Sequence, residues 1–193
     1  MFNYTIPTNC THVKLDIGLS YNAPHSQIWL SKEPNLFVFG FEPSPEANRK
    51  LKIPNNNRYN KSDRFIILPV ALSNVKIQEN MNFYQTTKDV GTSSLYKPID
   101  KMAKNNMGFG KYNIVNIPVI SLKMFFDNFP WERFDYIDYI KIDAQGSDLK
   151  ILQGADYYLK ERVVYVTAEA DGFQYEDCEE SIEKNIISFM ISQ

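Results

Sequence analysis

The amino-acid sequence predicts an α/β fold built on a doubly wound, mostly parallel sheet. Three observations lead there. Short β-branched or aromatic runs alternate with helix-length segments from residue 12 to residue 72. The same alternation returns after residue 120. The runs are apolar enough to be buried on both faces, as strands of a parallel sheet covered by helices must be.

The elements follow in order. "HVKLDI" (residues 12–17) is a first strand, and Gly18 with a cluster of small polar residues forms the turn behind it. Pro24 opens a helix to residue 32, where its missing N–H costs nothing. "NLFVFGFE" (35–42) is a second strand. Ser44-Pro45-Glu46 supplies a serine cap with proline just inside, starting a second helix through Leu51. After the polar loop "PNNNRYNKSD", the run "RFIILPVAL" (64–72) is a third strand. "NMNFYQT" (80–86) and "YNIVNIPVI" (112–120) also read as strands. The Gly/Ser/Asn-rich stretch 89–111 between them is expected to make an irregular excursion, a hairpin with a flap. A helix over 121–129, a buried strand over 136–143, a helix over 147–159, a last strand over 162–170 and an amphipathic helix over 178–191 complete the chain. There is no internal repeat.

Composition narrows the function classes. The 193 residues, 44% hydrophobic, suffice for one core, so a single domain over 1–193 with an irregular insertion at 80–120 is expected. Lys plus Arg number 21 against 23 Asp plus Glu, a net charge of -2, which leaves no basic surplus to hold a phosphate backbone. Nucleic acid is therefore not an expected partner. Only Cys10 and Cys178 are present, too few for a disulfide framework or a zinc site, and no metal motif occurs. The N-terminal "MFNYTIPTNC" does not read as a signal peptide, and no stretch approaches the roughly 18 apolar residues that span a bilayer. A cytoplasmic protein with no membrane partner is the expectation.

Right-handed βαβ connections send early strands one way from the first strand and later strands the other, and ligands bind where the order reverses. That point lies between strands 12–17 and 136–143, so Asp16 and Asp143 should border one crevice. Gly18 lets backbone approach a ligand closely. Glu42 lies about 24 residues further on, where an acid accepts hydrogen bonds from adjacent ribose hydroxyls. A dinucleotide site wants G-x-G-x-x-G, whereas the turn here is D-x-G-x-S-x-N-x-P. S-adenosyl-L-methionine has no phosphate and carries a cationic sulfur, which suits carboxylates along the rim. A nicotinamide-dependent oxidoreductase or sugar-modifying enzyme, and a non-catalytic relative acting as a binding module, are the alternatives.

The stretches "LDIGLSYNAPHS", "FGFEPSPEAN", "PVALSN", "DVGTSSL", "NIPVISL", "IDYIKIDAQGSDLKILQGA" and "VTAEAD" together resemble an FkbM-type methyltransferase, a branch of the class I S-adenosylmethionine-dependent enzymes. The resemblance implies a Rossmann-like sheet and an enzyme that methylates a hydroxyl of a sugar or other small metabolite. It also implies site residues: Asp16, Gly18, Leu19 and Ser20 around the methionine moiety, Glu42 with Pro43 at the ribose, and Leu72 and Ser73 beside the adenine. Asp143 would face the sulfonium and the acceptor. Class I enzymes usually end in a strand hairpin, and this chain stops at "NIISFMISQ", so a C-terminal truncation is expected. Two departures stand out: Leu19, Ser20 and Asn22 replace the usual D-x-G-A-N-x-G letters, and Gln145 replaces the acid of K-I-D-x-E-G-x-E.

The remaining candidates each have a plainer reading. Asp143 is either a proton acceptor or an anchor for the cofactor. Lys141 orients an acidic substrate or snorkels at the sheet rim. His25 is a base, a helix cap or a surface residue. Ser93 and Ser94 belong to a lid or a simple turn. Glu169 and Asp171 line the far side of the crevice or make structural hydrogen bonds. The aromatics of "FFDNFPWERFDYIDY" pack the core.

Overall fold

The computed structural model describes residues 4–99, 110–170, 174–178 and 181–193. The first half follows the predicted order: β1 (His12–Ile17), α1 (Pro24–Lys32), β2 (Leu36–Phe41), α2 (Pro45–Leu51) and β3 (Phe65–Leu68). β4 (Ala71–Leu72), β5 (Glu79–Thr86) and β6 (Tyr112–Ile120) follow, with a 3-10 turn at Val90–Thr92. α3 (Leu122–Phe126), β7 (Tyr139–Ile142), α4 (Asp148–Gln153), α5 (Tyr158–Arg162), β8 (Val166–Ala168) and α6 (Glu183–Ser192) complete the chain.

The central sheet runs β3-β2-β1-β7-β8 with every pair parallel, so the fold is the predicted Rossmann-like α/β class. The order reverses between β1 and β7, as the connection rule requires. Register sets Asp16 beside Gly40 on one side and Lys141 on the other, which brings the tips of three strands level. β2 is buried along its whole length. Phe37, Phe39 and Phe41 enter the larger core, where Phe39 and Phe41 meet Phe125 edge-on at 5.0 and 5.3 Å. Leu36 and Val38 enter a second cluster with Leu30 and Leu51 of the two covering helices. Each such side chain contributes about 2 kcal/mol by leaving water.

Several boundaries differ from the sequence reading: the helix over 121–129 shortens to Leu122–Phe126, the strand over 136–143 shortens to Tyr139–Ile142, and four further differences follow. The run 64–72 is two strands, not one. Pro69 has no N–H to donate, and the Val70 N–H turns back to the Leu68 carbonyl, so β3 ends there and β4 joins a separate sheet, β4-β6-β5. In that sheet β5 and β6 pair antiparallel from Glu79↔Val119 to Thr86↔Tyr112. The helix over 147–159 breaks at Gly154, where a Cβ would lie 2.4 Å from the Ser73 carbonyl oxygen. The last strand contracts to three residues, and the final helix begins at Glu183 rather than Cys178. Among the described residues no strand follows β8, and no helix is long and apolar enough to cross a membrane. Residues 100–109 of the predicted flap lie outside the described residues.

Candidate functional site

The tips of β1, β2 and β7 open on a cleft of about 590 Å³, counted to its open mouth. Gly18 and Ser20 line it after β1, Glu42 and Pro43 after β2, and Asp143, Ala144, Gln145 and Ser147 after β7. Val70, Ala71, Leu72, Phe83, Leu95 and Ile151 give it an apolar wall. Gly91 and Ser93 reach it from the segment after β5.

Backbone contact holds the strand tips together. Gly18 has φ +82°, a conformation open to glycine, and its N–H donates to the Phe41 carbonyl at 3.0 Å. The Asp143 N–H donates to the Ile17 carbonyl at 3.0 Å. Lys141 is buried, and its Nζ donates to the Gly18 carbonyl at 2.9 Å. The same ammonium lies 3.5 Å from Asp16 Oδ1 and 3.3 Å from Asp143 Oδ2, so one cation serves two acids.

The carboxyls diverge in their environments. Burial pushes Glu42 up to about 8, against the backbone hydrogen bonds it accepts from Ser44 at 2.8 Å and from Ser20. Burial also raises Asp16, although its Oδ2 accepts from both the N–H and the hydroxyl of Ser26 and Lys141 is close. Asp148, at the start of α4, is pushed up to about 7 by burial, and its Oδ2 accepts no hydrogen bond among the described residues. For Asp143 burial works against the charged form but loses. Hydrogen bonding with Glu169, the Lys141 ammonium and the Gln145 amide hold it below the ordinary carboxylate range.

These directions fix a pH dependence. Glu42 and Asp148 hold protons in the native state that the unfolded chain has released, so their stability contribution is full below the unfolded carboxyl range and is lost as pH rises through about 7 to 8. Asp143 has the opposite sign and costs stability only as pH falls through its own lowered value. The urea midpoint should drop between about pH 5 and pH 8.5, and Glu42→Gln should flatten the drop. A midpoint that climbs to pH 8.5 would contradict this.

The structure brings Gly18, Ser20, Glu42, Pro43, Leu72 and Asp143 to the cleft. It does not bring the other predicted residues there. Asp16 stands behind the lining, bonded to Ser26. Leu19 turns away into the α1/α2 cluster, against Gly40. Ser73 gives its N–H to Ile120, and its carbonyl packs on Gly154. Lys141 does not snorkel: it is buried behind the lining, with its ammonium against the Ile17 and Gly18 carbonyls and the Asp143 carboxylate. Ser94 is buried and donates to the Gln145 carbonyl at 2.6 Å, while the neighbouring Ser93 lines the cleft. His25 is exposed on α1 beside the Trp29 ring, and Ala23 occupies the cap position, so His25 neither caps nor reaches the cleft. Glu169 accepts from Gln145 at 3.1 Å, and Asp171 lies outside the described residues. Gln145, Ser147 and Gly91 were not expected as lining residues; only the departure at Gln145 from a familiar motif pointed toward one of them. Among the described residues no cluster of His, Cys, Asp and Glu could hold a metal ion.

Residues 27–192 match the model of the methyltransferase FkbM domain. No curated protein and no solved structure gives a match. The matched span begins within α1, so the β1 tip with Asp16 and Gly18 lies just outside it, while Glu42, Leu72, Asp143 and Gln145 fall inside. Since the match runs from α1 to α6, over a parallel sheet whose order reverses at the acid-lined cleft, the chain belongs to the FkbM methyltransferase family.

Proposed function

We propose that the protein is an S-adenosyl-L-methionine-dependent methyltransferase that methylates a hydroxyl of a sugar or other small metabolite. One observation carries the choice of cofactor. The described lining of the cleft contains two carboxyls, Glu42 and Asp143, and no lysine or arginine. A pyrophosphate placed there would meet the Asp143 carboxylate and no cationic side chain in the described lining, whereas a nucleoside with a cationic end finds an apolar wall, an acid at the β2 tip and a second acid at the β7 tip. That donor set fits S-adenosylmethionine and argues against a nicotinamide dinucleotide.

When bound, the cofactor supplies an electrophilic methyl group. Glu42 accepts hydrogen bonds from the ribose hydroxyls, and Leu72 and Ile151 pack the base. Asp143 is held ionised below the ordinary range. A base is most effective with a pKa near the working pH, so this carboxylate serves as an anchor for the cationic end rather than as the proton acceptor. The presence of only two cysteines, too few for a disulfide framework, supports a cytoplasmic setting. The balanced charge supports a free small molecule, rather than nucleic acid or a membrane, as the acceptor.

Calorimetric titration with S-adenosylmethionine, S-adenosylhomocysteine and NAD tests the reading. The first two should bind and NAD should not; NAD binding alone would overturn it. Glu42→Ala should weaken both adenosyl ligands by about 10- to 100-fold, the value of hydrogen bonds to a charged group. Because ribose hydroxyls favour the ionised carboxyl, affinity should strengthen with pH up to about 8, with proton release visible as a buffer-dependent enthalpy. Binding thus gains from the pH rise that costs stability.

A further inference from the structure

Gln145 is tied to more of the site than any role in the proposed reaction uses. Its backbone has φ +53°, outside the range a side-chain-bearing residue prefers. Its amide Nε2 donates to Asp143 Oδ1 at 2.9 Å and to Glu169 Oε2 at 3.1 Å. Its Oε1 lies 2.7 Å from the Tyr175 hydroxyl, which is also 3.1 Å from the Thr92 carbonyl oxygen. Its own carbonyl accepts from Ser94. The amide orientation follows from the partners: carboxylates only accept, so the NH₂ must face the two acids and the oxygen must face the phenol.

Tyr175 reaches Gln145 from a segment paired with the chain after β5. The Ile99 N–H donates to the Gln174 carbonyl, the Glu176 N–H to the Lys97 carbonyl, and Lys97 and Glu176 form an ion pair at 2.8 Å. Gln145 thereby joins the β7 tip to both segments beside the cleft.

We propose that Gln145 is the positioning residue of the site: its amide bridges Asp143 and Glu169, fixes the Asp143 carboxylate toward the cleft, and is itself oriented by Tyr175. An acid at this position would add a third carboxyl to the hydrogen-bonded Asp143 and Glu169 pair and a further proton to hold; the amide instead donates to both. The other groups facing Asp143 are Lys141, with Asp16 on its far side, and Asp148 from α4. Only the ligand assumed in the second measurement below rests on the methyltransferase reading.

The first test needs no ligand. Side-chain carboxyl carbon NMR of the labelled full-length chain, with Asp143 assigned by Asp143→Asn, follows its protonation with pH. Gln145→Leu should make Asp143 roughly 10-fold easier to protonate, and Gln145→Glu should raise it further despite its near-identical shape. Tyr175→Phe removes one oxygen, keeps the core ring, and should shift Asp143 the same way by less. The second measurement is the ratio of S-adenosylmethionine to S-adenosylhomocysteine affinity. It should fall roughly 10-fold in Gln145→Leu, and Tyr175→Phe should add nothing on that background. Unchanged Asp143 protonation in a folded Gln145→Leu or in Tyr175→Phe would overturn the assignment. A wild-type chain that binds neither adenosyl ligand would instead defeat the methyltransferase reading, and the NMR result would still decide the role of Gln145.

Discussion

Gly18→Ala is expected to destabilise the protein by about 4 kcal/mol, read as a lower urea midpoint, and to abolish cofactor binding. The added Cβ would lie 1.8 Å from the Asp143 carbonyl oxygen and 2.8 Å from its carbon, both backbone atoms. No rotamer change relieves that overlap, and alanine also resists φ +82°. The loop after β1 would have to leave β7, breaking the Gly18 bonds to Phe41 and Lys141 as it goes. Gly91→Ala is the matched control, since the nearest atoms to its Cβ would be side-chain atoms of Asp89 and Ser20, at 3.2 and 3.3 Å. That control should cost under about 1 kcal/mol. Similar midpoints for the two variants would show that the strand tips are not in contact as described.

Lys141→Met is expected to cost about 3–5 kcal/mol, the penalty for removing one partner of a buried ion pair. Methionine fills much of the volume, so the loss is chiefly electrostatic. Asp16 is buried and its Oδ1 has no hydrogen bond among the described residues, so without the ammonium it must take up a proton or remain an uncompensated charge. The Gly18 carbonyl also loses its donor. Adding Asp16→Asn removes the stranded charge, while its side-chain oxygen can still accept from Ser26. The double variant should recover at least about 1 kcal/mol relative to Lys141→Met. A single variant within about 1 kcal/mol of wild type would mean that the pair is far better solvated than its burial indicates.

The sheet was legible because its signal is local. β1, β2 and β7 are apolar runs ended by Gly or an acid, and their order follows from the handedness of parallel connections. Glu42 and Asp143 could be picked out because a strand end and an acid coincide in sequence. The split at Pro69 and the helix break at Gly154 had local markers too, a proline inside an apolar run and a glycine inside a helical pattern. Their meaning lay in distant partners, β6 in one case and Ser73 in the other. Leu19 and Ser73 sit beside true lining residues in sequence, yet Leu19 packs into the α1/α2 cluster and the Ser73 carbonyl packs on Gly154. Gln145 and Tyr175 were the hardest to foresee, since their roles depend on contacts between segments that no periodicity links.

The position of β1 at the middle of the sheet has a consequence for synthesis. Its first neighbour, β2, emerges from the ribosome soon after it, but its second is over a hundred residues away, as the Val13–Asp138 bond across 125 positions shows. Until then the nascent chain carries a central strand with one unpaired side, the condition in which chaperone capture or wrong pairing is favoured.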